Sequence, residues 1–240
     1  MTLVGDLEST GPVAILLDVD GTLISTGGAG ARSWRWAFDT LYAVPADIGA
    51  FSESGMTDPD VARGTFRGAL GRDPTERELA RVLAAYLQRL PHEVATSEGY
   101  TVLPGAEHLL RRLSERGCLV GVVTGALEAA AHIKLTRADL NRFFAFGGYG
   151  SDSSDRAELT RRAIERAGAI LGRRIDAADV YVVGDTPNDI AAARAVGAVS
   201  VGVASGHYGV DDLRRAGPDV VLHSLEDPMP GLEWASARPG

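Results

Sequence analysis

The sequence predicts an α/β protein: a doubly wound parallel sheet interrupted by an inserted helical unit. Three observations lead there. Short apolar runs without polar alternation recur along the 240 residues, as in strands covered on both faces. Helical patterns separate these runs, the order that builds parallel sheets. One long stretch, residues 25–99, holds no convincing strand and reads only as helix.

The elements follow in order. Residues 13–17, VAILL, are the first buried strand. In the insertion, residues 32–42 carry Trp34, Phe38 and Leu41 at helical spacing. Trp34 is expected to pack and Trp36, two positions on, to be partly exposed. Residues 74–90 repeat the pattern through Leu79, Val82, Leu83, Tyr86, Leu87 and Leu90, with His92 placed at the helix end. Ser25-Thr26-Gly27-Gly28 and Leu103-Pro104-Gly105 are the expected hinges. A helix over 105–116 buries Leu109, Leu110 and Leu113 and stops at Gly117. A strand at 119–123 and helices over 126–140 and 157–167 come next. Strands at 180–183, 199–203 and 220–222 complete the sheet. Thr186 and Pro187 read as N-cap and first position of a helix that Gly197 closes. Residues 235–240 read as a frayed tail. The core is thus 1–24 with 100–240, and the insertion is 25–99.

Composition narrows the classes. Hydrophobic residues make up 45% of the chain, which argues against disorder. The net charge of −8, from 24 basic and 32 acidic residues, argues against a nucleic-acid partner. A single cysteine, Cys118, excludes an internal disulfide and is expected to be a small buried filler. No apolar run is long enough for a membrane span, and no basic-then-apolar leader opens the chain, so the cytoplasm is the expected compartment. Among the basic residues only Lys134 is lysine. Chemistry that needs a side-chain amine has that one residue to use.

The polar residues gather at expected strand ends. Asp18-Val19-Asp20-Gly21-Thr22 follows the first strand, where open α/β sheets bind ligands. Two carboxylates so close require a cation or a shared proton. Gly21 permits a tight turn toward an anion. Thr124-Gly125 ends the second strand, and Gly184-Asp185-Thr186-Pro187-Asn188-Asp189 ends the third. Asp155-Arg156 opens a helix and supplies a cation.

Together these residues resemble the four motifs of the haloacid dehalogenase superfamily, over residues 13 to about 203. Gly27-Gly28-Ala29-Gly30 and Gly55-Met56-Thr57-Asp58 are similar to its phosphoglycolate phosphatase-like branch. The resemblance implies that the insertion is a small helical cap. It implies that Asp18 attacks phosphorus and that Asp20 is the acid and base. It further implies Mg2+ on Asp18, Asp185 and the Asp20 backbone carbonyl, with Asp189 as an outer or water-mediated contact. Gly21, Thr22, Thr124 and Gly125 would bind phosphate, and Arg156 would pair with phosphate and with Asp18. Arg156 stands where the family more often has lysine followed by proline.

The expected activity is Mg2+-dependent hydrolysis of a small organophosphate monoester, with a β-phosphoglucomutase-like phosphomutase as the alternative. A dehalogenase would not need Asp20. A phosphonatase of this superfamily uses a cap lysine, and residues 25–99 contain none. A binding module without catalysis would not need every carboxylate. The five histidines lack metal spacing; His207, in a loop after a strand, either is a plain loop residue or borders the site. Most of Arg32, Arg35, Arg63 and Arg67 are expected to be solvated, with an anionic substrate tail as the alternative contact, and Met56 replaces a basic residue common in relatives, which disfavours a carboxylate-bearing substrate.

Overall fold

A computed structural model describes residues 11–44 and 55–237. The chain enters through β1 (Ala14–Leu17), all four residues buried. A short β2 (Ile24–Thr26) leads into α1 (Ala29–Tyr42), α2 (Asp58–Leu70) and α3 (Glu76–Thr96), and β3 (Tyr100–Val102) leads back. Then α4 (Ala106–Glu115), β4 (Leu119–Thr124), α5 (Glu128–Thr136), β5 (Phe146–Tyr149) and α6 (Arg156–Leu171) alternate. β6 (Val180–Gly184), α7 (Pro187–Val196), β7 (Val199–Val203), α8 (Val210–Arg215) and β8 (Val220–Leu222) finish the fold.

Six strands form one parallel sheet in the order β5-β4-β1-β6-β7-β8. The central β1 pairs with β4 on one side, Ala14 opposite Leu119, and with β6 on the other, Ala14 opposite Val180. The strand order therefore reverses at β1, and a crevice opens at the carboxyl ends of β4, β1 and β6.

Several elements depart from the sequence expectation. β2 and β3 pair antiparallel, Ile24 opposite Val102, where hinges and no strand were expected. Each is three residues long, too short to carry a period. β5 was also not expected. Its sequence is FGGY, and glycines lower strand propensity. They serve packing: a Cβ at Gly148 would lie 2.8 Å from the Leu159 carbonyl carbon of α6. α3 was expected to stop at Leu90 but continues through Pro91 to Thr96. Buried Glu93 and Val94 anchor its last turns, and Glu93 accepts hydrogen bonds from Arg32 and Arg89. His92 is therefore inside the helix.

The insertion has its own apolar interior. Trp34 stacks on Tyr86, ring centroids 4.1 Å apart. Phe38 meets Phe66 edge-on at 5.3 Å. Trp36 is partly buried beneath Arg89. Cys118 is half-buried rather than a core filler. Ala235, the first residue of the tail expected to fray, is fully buried; residues 238–240 lie outside those described. Among the described residues no helix is long and apolar enough to cross a membrane.

Candidate active site

The turn after β1 places two carboxylates. The Asp18 N–H donates to the Val183 carbonyl at 2.9 Å, continuing the β1–β6 ladder, and leaves Asp18 buried at the crevice floor. The chain then folds tightly, with Gly21 N–H donating to Ile24 O at 2.9 Å. Gly21 has φ +84°, and a Cβ there would lie 2.6 Å from Cγ of Asp185. Glycine is required on both counts. The Ser205 hydroxyl braces this turn by donating to Gly21 O at 2.7 Å.

β6 ends at Gly184 and delivers Asp185 beside Asp18. Thr22 was expected at the substrate. Its hydroxyl instead donates to Asp185 Oδ1 at 3.2 Å, so it orients that carboxylate. Thr186 caps α7 in a capping box with Asp189. Asp189 Oδ2 accepts from Thr186 N at 3.1 Å and from its hydroxyl at 2.7 Å. Asp189 Oδ1 accepts from the Arg156 guanidinium.

Arg156 is the first residue of α6, whose N-cap is Asp155. Its guanidinium is largely buried, bound to Asp189 and 4.0 Å from Asp18 Oδ1. Thr124 ends β4, bonded to Asp18 through its side chain and accepting from Ala126 N at 3.3 Å. The four predicted segments thus converge on one cleft of about 470 Å3. His207 lines it. The insertion arginines do not. Arg32 pairs with Glu93, Arg63 with Asp60 and Arg67 with Asp73, and Arg35 is exposed elsewhere; among the described residues none of the four lines the cleft.

The carboxylates perturb one another. Burial pushes the Asp18 carboxyl up, Arg156 opposes that, and Asp20 adds to it. Burial, then the Asp18 charge, push Asp185 up to about 7. Carboxylate oxygens of Asp18, Asp185 and Asp189 lie within 4.8 Å of one another. Asp18 Oδ1 is buried without a hydrogen-bond partner. An unsatisfied oxygen inside an all-oxygen donor set fits a hard divalent cation such as Mg2+. The Asp20 side chain stands outside this cluster, consistent with only its backbone carbonyl facing a metal.

Two residues of the site escaped sequence reasoning. Lys134, on α5, is buried, and its ammonium lies 2.5 Å from Asp20 Oδ2. Burial works against its charge, but Asp20, Tyr86 and Asp58 outweigh burial and hold it protonated above the ordinary range. A protonated amine is no nucleophile, so its presence in the cleft does not restore phosphonatase chemistry. The available signal was position: Ala130, Ala131, Lys134 and Leu135 share the inward face of α5. The second residue is Asp58, the first of α2. Its N–H donates to Gly125 O, and its Oδ2 accepts from Leu127 N, both at 2.8 Å. Burial pushes its carboxyl up to about 6 against the pull of Lys134. Asp58 thus seats the insertion on the loop after β4.

Comparison with known proteins agrees with this geometry. Residues 13–197 match the family model of haloacid dehalogenase-like hydrolases. The chain is 27% identical to a phosphoglycolate phosphatase of Shigella dysenteriae over 240 aligned positions, covering 91% of each chain. It shares the fold of CbbY from Rhodobacter sphaeroides, solved with phosphate, at TM-score 0.73, 20% identity and coverage of 92% and 99%. It also shares the fold of a Bacteroides vulgatus protein described as a β-phosphoglucomutase, at TM-score 0.68, 22% identity and coverage of 96% and 93%. With its four motifs gathered at one crevice and the family match spanning most of its length, the chain belongs to the haloacid dehalogenase-like hydrolases.

Proposed function

We propose that this hydrolase is a Mg2+-dependent phosphatase that cleaves a small phosphomonoester through an aspartyl-phosphate intermediate. One observation carries the reading: two carboxylates one residue apart have been given opposite surroundings. Asp18 is buried against Asp185, Arg156 and Thr124. Asp20 is 43% exposed at its side chain and paired with Lys134. Separated environments assign separate roles to paired carboxylates.

An Asp18 oxygen attacks phosphorus, forming the acyl-phosphate bond as the bond to the leaving oxygen breaks. Asp20 gives that oxygen a proton, then takes one from the water that hydrolyses the intermediate. Arg156, the Thr124 hydroxyl and the Gly125 N–H receive the non-bridging oxygens. Gly21 supplies the turn that lets these groups converge. Bound magnesium, held by Asp18, Asp185 and the Asp20 carbonyl with Asp189 behind them, would offset repulsion between Asp18 and the phosphate dianion. Residues 25–99 act as the cap, seated by Asp58 over the phosphate end. Among the described residues the only arginine and lysine lining the cleft are Arg156 and Lys134, and both already face carboxylates. This favours an organic part without a carboxylate of its own.

The test is p-nitrophenyl phosphate hydrolysis with and without Mg2+, beside Asp18→Asn. Turnover should require the metal and vanish in the variant. Equal rates in the two proteins would overturn the assignment of the nucleophile. Release of free phosphate from a hexose 1-phosphate, rather than a 6-phosphate product, separates phosphatase from phosphomutase.

A further inference from the structure

The chain has one lysine, and the fold buries it at the junction of three parts of the site. Lys134 reaches from core helix α5 to Asp20 Oδ2 at 2.5 Å. The Tyr86 hydroxyl of α3 and the Asp58 carboxylate of α2 face the same ammonium from the insertion. Burying an ammonium is costly unless partners compensate it closely. A buried lysine against a half-exposed carboxylate therefore calls for an explanation beyond surface charge.

We propose that Lys134 is a positioning residue for Asp20: it takes Oδ2 and so presents Oδ1 to the leaving oxygen of the substrate. This rests on the reading of Asp20 as acid and base. Among the described residues Lys134 is the one side chain bonded to Asp20, and that single contact restricts an otherwise free rotor. The restriction is worth most in the transition state, where an acid slightly out of line loses its benefit. The neighbours of Lys134 give it a second consequence. Tyr86 and Asp58 belong to the insertion, so the insertion must be in place for the ammonium to be fully enclosed. The orientation of Asp20 is thereby linked to the seating of the insertion.

A purely structural ion pair would not make the loss depend on the leaving group, and kinetics separates the two. Lys134→Met is compared with wild type on p-nitrophenyl phosphate and phenyl phosphate, which share a ring but differ in leaving-group basicity. The readout is kcat/KM, which covers steps through departure of the leaving group. The p-nitrophenolate departs with little help from an acid; phenolate needs the proton. Lys134→Met should lose about tenfold or more on phenyl phosphate beyond its loss on the nitro ester, within the range a general acid contributes. Asp20→Asn should show the same split, and Lys134→Arg should recover part of it. Equal losses on both esters, or none, would overturn the proposal. A lysine-selective isotope label gives a single side-chain resonance in a chain carrying no lysine-bearing tag, and it requires no Lys134 variant. That resonance should move in Asp20→Asn; if it stays, the contact is absent and the proposal fails even where Lys134→Met does not fold. Failure of the phosphatase reading itself would appear elsewhere, as Asp18→Asn retaining activity on both esters.

Discussion

Asp58→Asn tests how the insertion is held to the core. Asp58 is buried, its Oδ2 accepts from Leu127 N, and burial lifts its carboxyl from the ordinary 3.8 to about 6. That gap corresponds to about 3 kcal/mol between the two protonation states. The folded state holds this proton more tightly than the unfolded chain does. Between about pH 4 and pH 6 the folded state therefore carries more of it, so rising pH lowers stability across that window and has no further effect above it. Asparagine keeps an oxygen for the Leu127 N–H and carries no charge.

The difference in unfolding free energy between Asp58→Asn and wild type should be near zero at pH 4. It should grow to about 3 kcal/mol in favour of asparagine by pH 7, an upper figure because Lys134 loses one of its anions. Urea unfolding from pH 4 to pH 8 measures it, and the subtraction removes the titrations of Asp18 and Asp185, which both proteins share. A gap constant with pH would refute the reasoning. A gap that favours aspartate and widens as pH rises would refute it more sharply, because attraction to Lys134 would then exceed the cost of burial.

Three further substitutions probe the surrounding structure. Gly21→Ala combines a left-handed backbone, costing about 1–2 kcal/mol for a residue with a Cβ, with a collision against Asp185. Calorimetric Mg2+ affinity should fall by about tenfold or more, while Gly30→Ala, with open space around it, leaves it unchanged. Thr186→Ala removes the capping box of α7 and should lower stability by about 1 kcal/mol, read as a lower Tm. Ala43 closes α1 with φ +53°, so Ala43→Gly should raise Tm by relieving about 1 kcal/mol of backbone strain.

The sheet was legible where strands are continuous apolar runs. β1, β4, β6, β7 and β8 announce themselves in this way, and the motif residues at their ends gave the crevice. β5 was illegible because its glycines answer close contacts, Gly148 with α6 and Gly147 with the Tyr149 side chain, and such contacts leave no periodic trace. β2 and β3 draw their order from each other across the whole insertion. In α3, Pro91 is a local stop signal that the burial of Leu90, Glu93 and Val94 overrides. The site divides in the same manner. Asp18, Asp20, Thr124, Arg156, Asp185 and Asp189 were readable because each stands at the end or start of a predicted element. Lys134 and Asp58 were not, because their roles arise only where α5 meets the insertion. Thr22 was assigned to substrate by its place in a motif, and only three-dimensional proximity shows its hydroxyl on Asp185.

The distribution of charge then indicates which carboxylate most lacks a partner. Among the described residues five aspartates surround the cleft: Asp18, Asp20, Asp58, Asp185 and Asp189. Among the described residues the lysine and arginine that face them are Lys134 and Arg156, each engaging a separate pair. Lys134 binds Asp20 and attracts Asp58. Arg156 binds Asp189 and stands 4.0 Å from Asp18. Among the described residues Asp185 has the Thr22 hydroxyl as its side-chain hydrogen-bond partner, and Asp18 beside it repels any charge it carries. Burial first, and then the Asp18 charge, raise its carboxyl to about 7. The same imbalance leaves Asp18 Oδ1 without a hydrogen bond. Lys134 and Arg156 cannot be moved to these two oxygens without stranding Asp20 or Asp189. A divalent cation held by Asp18 and Asp185 would answer this imbalance while leaving each existing ion pair intact.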